Sequence, residues 1–205
     1  MSPPLELYLV RHTEADWNRE GRYLGWSDRP LTRRGLRQAE RLARRLAELE
    51  PDAVWSSGLA RTRRLAQAIA AHGGRRARHD PRWREVDHGR WEGLTWTEVA
   101  TRFPEAARRR WTEPWRSRAH GGESLAGLWR RVRRALGELR SGRPEGRVVV
   151  VTHAGPVQLL VCHALRAPLE SWSRVRVANG AVARIDVWRD ECGLVSLDGA
   201  PGTAA

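Results

Sequence analysis

Short uninterrupted apolar runs recur along the chain. Residues 5–10 form one such run, which ends at Arg11-His12, and residues 148–151 are four consecutive valines. A third short run covers 52–55, after Pro51. Runs that are apolar on both faces are typical of strands covered on both sides, as in a parallel sheet. The pattern therefore predicts three buried strands.

Between these runs the apolar residues follow a helical period. The period predicts one helix over 36–49, a second from about 59 to the Gly73-Gly74 pair, and a third over 124–140. Thr95-x-x-Glu98 fits a capping box and predicts a short fourth helix. Pro156 suits the first turn of a helix that follows the valine run. Strands alternating with helices predict an α/β fold, a three-layer α/β/α sandwich with a mostly parallel central sheet.

The last part of the chain has a different pattern of apolar and polar residues. Residues 174–188 alternate between apolar and polar, and Asn179-Gly180 in their middle predicts a β-hairpin. Residues 199–205 predict a flexible tail. With no repeat or linker in between, residues 1–205 are interpreted as a single domain whose core spans about 5–190.

Composition narrows the class of protein. The chain has 205 residues, 40% of them hydrophobic and 30% charged, which is typical of a globular domain. It has no run of 18 apolar residues, no visible secretory signal and only two cysteines. We therefore expect a cytoplasmic protein with no membrane partner.

The charge raises an alternative. The formal net charge is +13, and every basic residue other than histidine is an arginine. A basic protein can bind nucleic acid through phosphate contacts. The arginines are, however, dispersed over the polar faces of the predicted helices, so we expect no nucleic-acid partner. The positive net charge would also attract a small anionic substrate.

Candidate chemistry follows the ends of the predicted strands. Arg11-His12 follows the first strand, His153 follows the valine run, and Arg61 falls in the first turn of the helix after 52–55. Ligands of α/β sheets bind at the carboxyl ends of the strands, and helix N-termini there attract anions. The sequence thus predicts an anion pocket. Residues 83–93, which mix acids, glycines and aromatics without a period, predict a loop beside it.

In this order the motifs resemble those of the histidine phosphatase superfamily, also called the phosphoglycerate mutase-like family. The matching segments are Leu9-Val10-Arg11-His12-Thr13-Glu14 with Trp17-Asn18; Gly25-x-x-Asp28-x-Pro30-Leu31-Thr32 with Gly35 and Gln38-Ala39; Ser56-Ser57-x-Leu59-x-Arg61 with Ala66; Arg84-Glu85-Val86-Asp87 with Gly89 and Trp91-Glu92-Gly93; Gly121-Gly122-Glu123-Ser124; and Val151-Thr152-His153-Ala154-Gly155.

The resemblance implies a phosphohistidine mechanism. His12 would attack phosphorus, while Arg11, Arg61 and His153 hold the phosphoryl oxygens and Glu85 serves as general acid and base. Asp87 and Glu92 are the next candidates for that acid. No metal or other cofactor is implied. The residues that we expect to line the substrate site are Thr13, Asn18, Leu24, Gly25 and Ala154.

The resemblance also implies a phosphomonoester hydrolase acting on a small phosphorylated metabolite. The alternative is a cofactor-dependent phosphoglycerate mutase. Mutases carry a longer insertion between the acid and the second histidine, which favours the phosphatase. The run Arg108-Arg109-Arg110 keeps the mutase open, because mutases use an arginine pair in this region to bind phosphoglycerate. A non-catalytic scaffold would lack a core residue, and none is missing. The substrate stays open, as does a homodimer.

Overall fold

The structure is a computed structural model that describes residues 3–143, 145–189 and 191–199. Its strands are β1 (Leu5–Arg11), β2 (Ala53–Ser56), β3 (Arg78–His79), β4 (Gly146–Thr152), β5 (Val182–Val187) and β6 (Cys192–Asp198). Its α-helices are α1 (Asp16–Arg19), α2 (Arg33–Ala47), α3 (Ala60–His72), α4 (Trp96–Arg102), α5 (Pro104–Thr112), α6 (Leu125–Gly142) and α7 (Ala154–Ala164). Short 3₁₀ helices cover Pro81–Trp83, Gly89–Trp91 and Leu169–Arg174.

The strands form one sheet in the order β3-β2-β4-β1-β5-β6. The four strands from β3 to β1 are parallel, whereas β5 is antiparallel to both β1 and β6. The four valines of β4 show that the sheet is covered by helices on both faces. Val148 and Val150 join the core cluster with α6 and α7, whereas Val149 and Val151 join the cluster with α2 and α3. The predicted three-layer α/β sandwich is confirmed.

The register of the two central strands determines where the site lies. Arg11 pairs with Thr152 across β1 and β4, so the next residues, His12 and His153, leave the sheet side by side. The backbone N–H of His12 donates to the carbonyl of Thr152 at 2.9 Å. Because both strands are parallel, their carboxyl ends meet at one edge, where α7 also begins.

Helices α4 and α5 lie in the segment between the loop at 83–93 and α6. Thr95 and Glu98 form the predicted capping box at the start of α4, and Pro104 occupies the first turn of α5. A small apolar cluster that includes Trp91, Val99 and Ala107 holds these helices together. Among the described residues, no helix has both the length and the apolar character needed to span a membrane.

The predicted hairpin around Asn179-Gly180 is wrong. The hairpin of this region pairs β5 with β6, and residues 175–181 join no strand. Two backbone carbonyls of this segment accept from side chains instead: Gln158 donates to Val175, and Arg11 donates to Val177. Strand β6 was missed, and it carries the sheet past residue 190, to Asp198. Of the predicted tail, residues 200–205 lie outside the described residues.

Candidate active site

His12 lies at the centre of the site and has a defined tautomer. Its side chain is buried, and Nδ1 lies 2.8 Å from the carbonyl oxygen of Thr13. A carbonyl can only accept, so Nδ1 carries the proton and Nε2 keeps its lone pair. Burial, followed by the charges of Arg61 and Arg11, holds the pKa of His12 well below its ordinary value. The ring is therefore neutral and has a nucleophilic nitrogen at physiological pH.

Arg11 and Arg61 are held by backbone carbonyls. Arg11 donates through Nη1 to the carbonyl of Val177 at 2.5 Å. Arg61 is fully buried and donates through Nη1 to Ser27 and through Nη2 to Gly25. Burial lowers the pKa of Arg61 to about 10, which leaves it charged at neutral pH. Neither guanidinium forms an ion pair with a described residue, so both charges remain available to an anion.

His153 is bound on one side only. Its Nε2 lies 2.8 Å from the hydroxyl of Ser57, which in turn lies 2.9 Å from the hydroxyl of Thr62. Its Nδ1 is buried and has no partner among the described residues. The ring packs edge-on against His12, with 5.1 Å between centroids. Nδ1 is therefore the nitrogen of His153 that a ligand can use.

Several residues of the predicted site have buried polar atoms without a partner. Among the described residues, the fully buried side-chain atoms without a partner include Nε of Arg11, Nε of Arg61, Nδ1 of His153 and Oγ1 of Thr13. Each such atom costs about 1–3 kcal/mol when left unpaired. All four belong to residues that the sequence assigned to the site. Ligand oxygens are hydrogen-bond partners of the kind that these atoms lack.

Glu85 is positioned by backbone amides. Its Oε1 accepts from its neighbour Val86 at 2.9 Å, and its Oε2 accepts from Gly155 in the first turn of α7 at 3.1 Å. A carboxylate has about four lone-pair positions, so each oxygen keeps one for a substrate. Burial lowers the pKa of both Arg11 and Arg61, and the nearby carboxylate of Glu85 opposes that shift. Glu85 therefore lies within the electrostatic reach of the proposed phosphoryl ligands.

The two reserve candidates for the acid have other bonds. Glu92 accepts from the backbone N–H groups of Gly25, Trp26, Ser27 and His88. Asp87 accepts from the backbone N–H of Gly89 at 2.9 Å within its own turn. Both carboxylates therefore organise loops, which leaves Glu85 as the better candidate.

The predicted substrate contacts differ in what they can offer. Asn18 uses its oxygen to accept from Ala15 and Asn179, which leaves its NH₂ group available. Thr13 has a buried free hydroxyl, and Ala154 is the first residue of α7. Gly25 uses both its N–H and its carbonyl within the protein, and Leu24 is buried. The substrate roles of all five stay predictions.

Four residues near the site were not among the functional residues predicted from the sequence. They are Ser57, Arg110, Arg131 and Asn179. Asn179 donates to the carbonyl of His12. Ser57 bonds to His153, and Arg131 donates to the carbonyls of Arg84 and Glu85 while pairing with Glu123. Ser57 and Glu123 lie within the matched motifs, so their positions could have pointed to partners. The fourth is Arg110.

Arg110 is a buried cation at the edge of the site. It is 9% exposed, in contrast to its exposed neighbours on α5, and its guanidinium stacks 4.7 Å from the ring centre of Trp172. Burial lowers its pKa, and the nearby Tyr23 hydroxyl and Glu85 carboxylate oppose that shift. It forms no ion pair among the described residues. Of the run at 108–110, Arg108 and Arg109 are exposed to solvent and only Arg110 is buried.

His88 is a further histidine near the site with a low pKa. Its ring packs against Tyr23 with 4.7 Å between centroids. Burial, followed by the charges of Arg110 and Arg61, lowers its pKa to about 3.

Within the described ranges, no group of three or more His, Cys, Asp or Glu residues is placed to hold a metal ion.

Comparison with known proteins gives a consistent result. The family model for the histidine phosphatase superfamily (branch 1) matches residues 7–198. Phosphoserine phosphatase 1 of Hydrogenobacter thermophilus is 39% identical over 170 residues, covering 82% of this chain and 81% of the relative. A probable phosphoglycerate mutase, GpmB, of Salmonella paratyphi C is 36% identical over 183 residues, covering 89% of this chain and 85% of the relative. Among solved structures, a mycobacterial glucosyl-3-phosphoglycerate phosphatase in complex with VO₃ superimposes with a TM-score of 0.86 at 28% identity, covering 95% of this chain and 99% of the other.

Proposed function

The chain belongs to the histidine phosphatase superfamily, and on this basis we propose that it hydrolyses a small phosphate monoester through a phosphohistidine intermediate. The single observation that carries the proposal is the set of four buried, unpaired polar atoms around a neutral His12. A phosphoryl group supplies the oxygens that these atoms lack, and it places phosphorus beside the free Nε2.

In the first step, Nε2 of His12 attacks phosphorus and the bond from phosphorus to the ester oxygen breaks. Glu85, protonated at this stage, gives its proton to that oxygen, and the alcohol leaves. Arg11, Arg61 and His153 bind the phosphoryl oxygens. Fixed positive groups of this kind provide most of the stabilisation in phosphoryl transfer.

In the second step, the carboxylate of Glu85 takes a proton from a water molecule whose oxygen attacks phosphorus. The bond from phosphorus to nitrogen breaks, and its electron pair returns to Nε2 of His12. Phosphate leaves and Glu85 is again protonated. Thr13, Asn18 and Ala154 add hydrogen-bond donors around the phosphoryl group, whereas Leu24 and Gly25 shape its entrance.

A substrate with a second anionic group is favoured by Arg110. This buried guanidinium has no ion-pair partner among the described residues, and an uncompensated buried charge is costly. Phosphoserine and phosphoglycerate derivatives, the compounds named for the relatives, carry a carboxylate in addition to the phosphate. The same feature keeps the phosphoglycerate mutase as the second candidate.

The remaining expectations belong to this proposal. The site works without a metal or other cofactor, because Arg11, Arg61 and His153 supply the donors. The protein acts in the cytoplasm, where its free cysteines stay reduced. Its arginines bind no nucleic acid, and a homodimer is compatible with all of these roles.

The experiment is rapid-quench trapping with ³²P-labelled substrate. We expect acid-labile label on His12 and its loss in His12→Ala, whose turnover falls by orders of magnitude because no other group carries the phosphoryl. The exposed His72→Ala is the matched control and retains both label and turnover. Label on a serine, or none during turnover, would overturn the proposal. Added 2,3-bisphosphoglycerate separates the mutase, which needs it, from the phosphatase.

A further inference from the structure

Arg61 takes its orientation from a loop. Its two terminal nitrogens donate to the carbonyls of Ser27 at 2.8 Å and Gly25 at 2.5 Å, and its Nε remains free. These two bonds determine the plane of the guanidinium and hence the direction of Nε. Any change in the path of residues 25–27 therefore reaches the phosphoryl site.

Glu92 determines the path of this loop. Its carboxylate accepts from the backbone N–H groups of Gly25 at 3.0 Å, Trp26 at 2.9 Å and Ser27 at 3.3 Å. Three consecutive amides thus converge on one side chain, while the carbonyls of the first and third bond to Arg61. Hydrogen bonds to a charged acceptor are stronger than those between neutral groups.

Close contact explains why a glycine stands at the centre of this arrangement. A methyl group at Gly25 would overlap Oε1 of Glu92 and the carbonyl oxygen of Val86. The loop can approach the carboxylate only without a side chain at this position. The charge of Glu92 also favours the charged form of Arg61. Burial lowers the pKa of Arg61, and the carboxylate of Glu92 opposes this larger effect.

We propose that Glu92 is a positioning residue for Arg61, acting through the backbone of residues 25–27. The carboxylate aligns the three amides, and the carbonyls of the same segment then direct the guanidinium so that Nε faces the phosphoryl oxygens. Bonding polarises the intervening peptide groups, which strengthens their carbonyls as acceptors. This inference rests on the proposed role of Arg61 in binding phosphate.

The test is a double-mutant cycle on the affinity for inorganic phosphate, measured by calorimetry without turnover. The variants are Glu92→Gln, Arg61→Met and the two combined. We expect Glu92→Gln to weaken phosphate binding about tenfold in the wild-type background and less than about twofold beside Arg61→Met. Glu98→Gln is the matched control, because Glu98 also accepts from a backbone amide, that of Thr95, but at the start of α4.

The outcomes are distinct. Equal weakening by Glu92→Gln in both backgrounds would overturn the positioning role, since a merely structural residue acts independently of Arg61. An unchanged affinity in Arg61→Met would instead overturn the proposed site itself. Thermal unfolding verifies that each variant is folded, and Glu92→Asp, which keeps the charge but shortens its reach, repeats the cycle if Gln is not tolerated.

Discussion

The backbone N–H of Gly155 donates to Oε2 of Glu85 at 3.1 Å, and a methyl group on Gly155 would overlap the other carboxylate oxygen. The first turn of helix α7 therefore contacts two residues of the proposed site, His153 and Glu85. It follows directly after His153, and it provides the surface against which the proposed acid lies.

We expect Gly155→Ala to displace Glu85 and to reduce kcat for alkyl phosphates about 10-fold or more, because the acid no longer reaches the leaving oxygen. Steady-state kinetics on glycerol phosphate measures this. Gly137→Ala, a helical position with open space around it, is the control and should keep wild-type kcat. Equal effects of the two substitutions would contradict the prediction.

Glu85→Gln should distinguish an acid from a binding residue. An acid assists the leaving group, so we expect kcat for alkyl phosphates to fall about 10²–10⁴-fold, with little change in KM. The loss should be smallest for p-nitrophenyl phosphate, whose alcohol leaves without help. Equal losses for both leaving groups would assign the acid role elsewhere.

Ser57→Ala should impair His153, because Nε2 then has no buried partner to orient the ring. We expect kcat/KM to fall about 10-fold. Ser56→Ala is a matched control one residue away, since Ser56 bonds to His79 instead. The prediction fails if the two serine variants have the same kcat/KM.

Stability should decrease in acid. In the folded protein His12 and His153 have pKa values well below 6.5, and that of His88 is about 3. Below pH 6.5 the unfolded chain therefore binds protons that the folded protein does not, and the free energy of unfolding falls as the pH drops. We expect Tm to decline between about pH 6.5 and pH 4, and less steeply in His88→Gln. A flat profile would be inconsistent with buried neutral histidines.

Activity should persist in EDTA, because guanidinium groups supply the positive charge that a metal ion supplies in other phosphatases. The measurement compares initial rates before and after dialysis against the chelator. Complete loss that Mg²⁺ or Zn²⁺ restores would contradict the metal-free site.

Strands β1, β2 and β4 were predictable from their uninterrupted apolar runs, and the long helices from the helical period of their apolar residues. Val148–Val151 are buried on both faces, and the predicted helices at 36–49, 59–72 and 124–140 match α2, α3 and α6 to within a few residues. Strand β6 was missed because only part of its seven residues is apolar, as suits a strand at the edge of the sheet.

Asn179-Gly180 illustrates a limit of local signals. The pair does form a turn, and Gly180 has a positive φ of 78°. The turn packs against the first strand, where Gly180 donates to the carbonyls of Arg11 and His12. No local pattern specifies such a long-range partner. The same holds for the backbone carbonyls that direct Arg11 and Arg61, which the identity of the side chains does not encode.

The position of β1 in the sheet determines how late in synthesis this strand can pair with its neighbours. This first strand lies between β4 and β5, so both of its neighbours are synthesised in the last third of the chain. Until Val187 has left the ribosome, the apolar faces and backbone groups of β1 lack their sheet partners. Parallel pairing over such a distance is slow and leaves the nascent chain prone to aggregation. The segment that carries His12 is therefore made early, but the sheet edge on which the site lies can form only after the residues up to Val187 have been made.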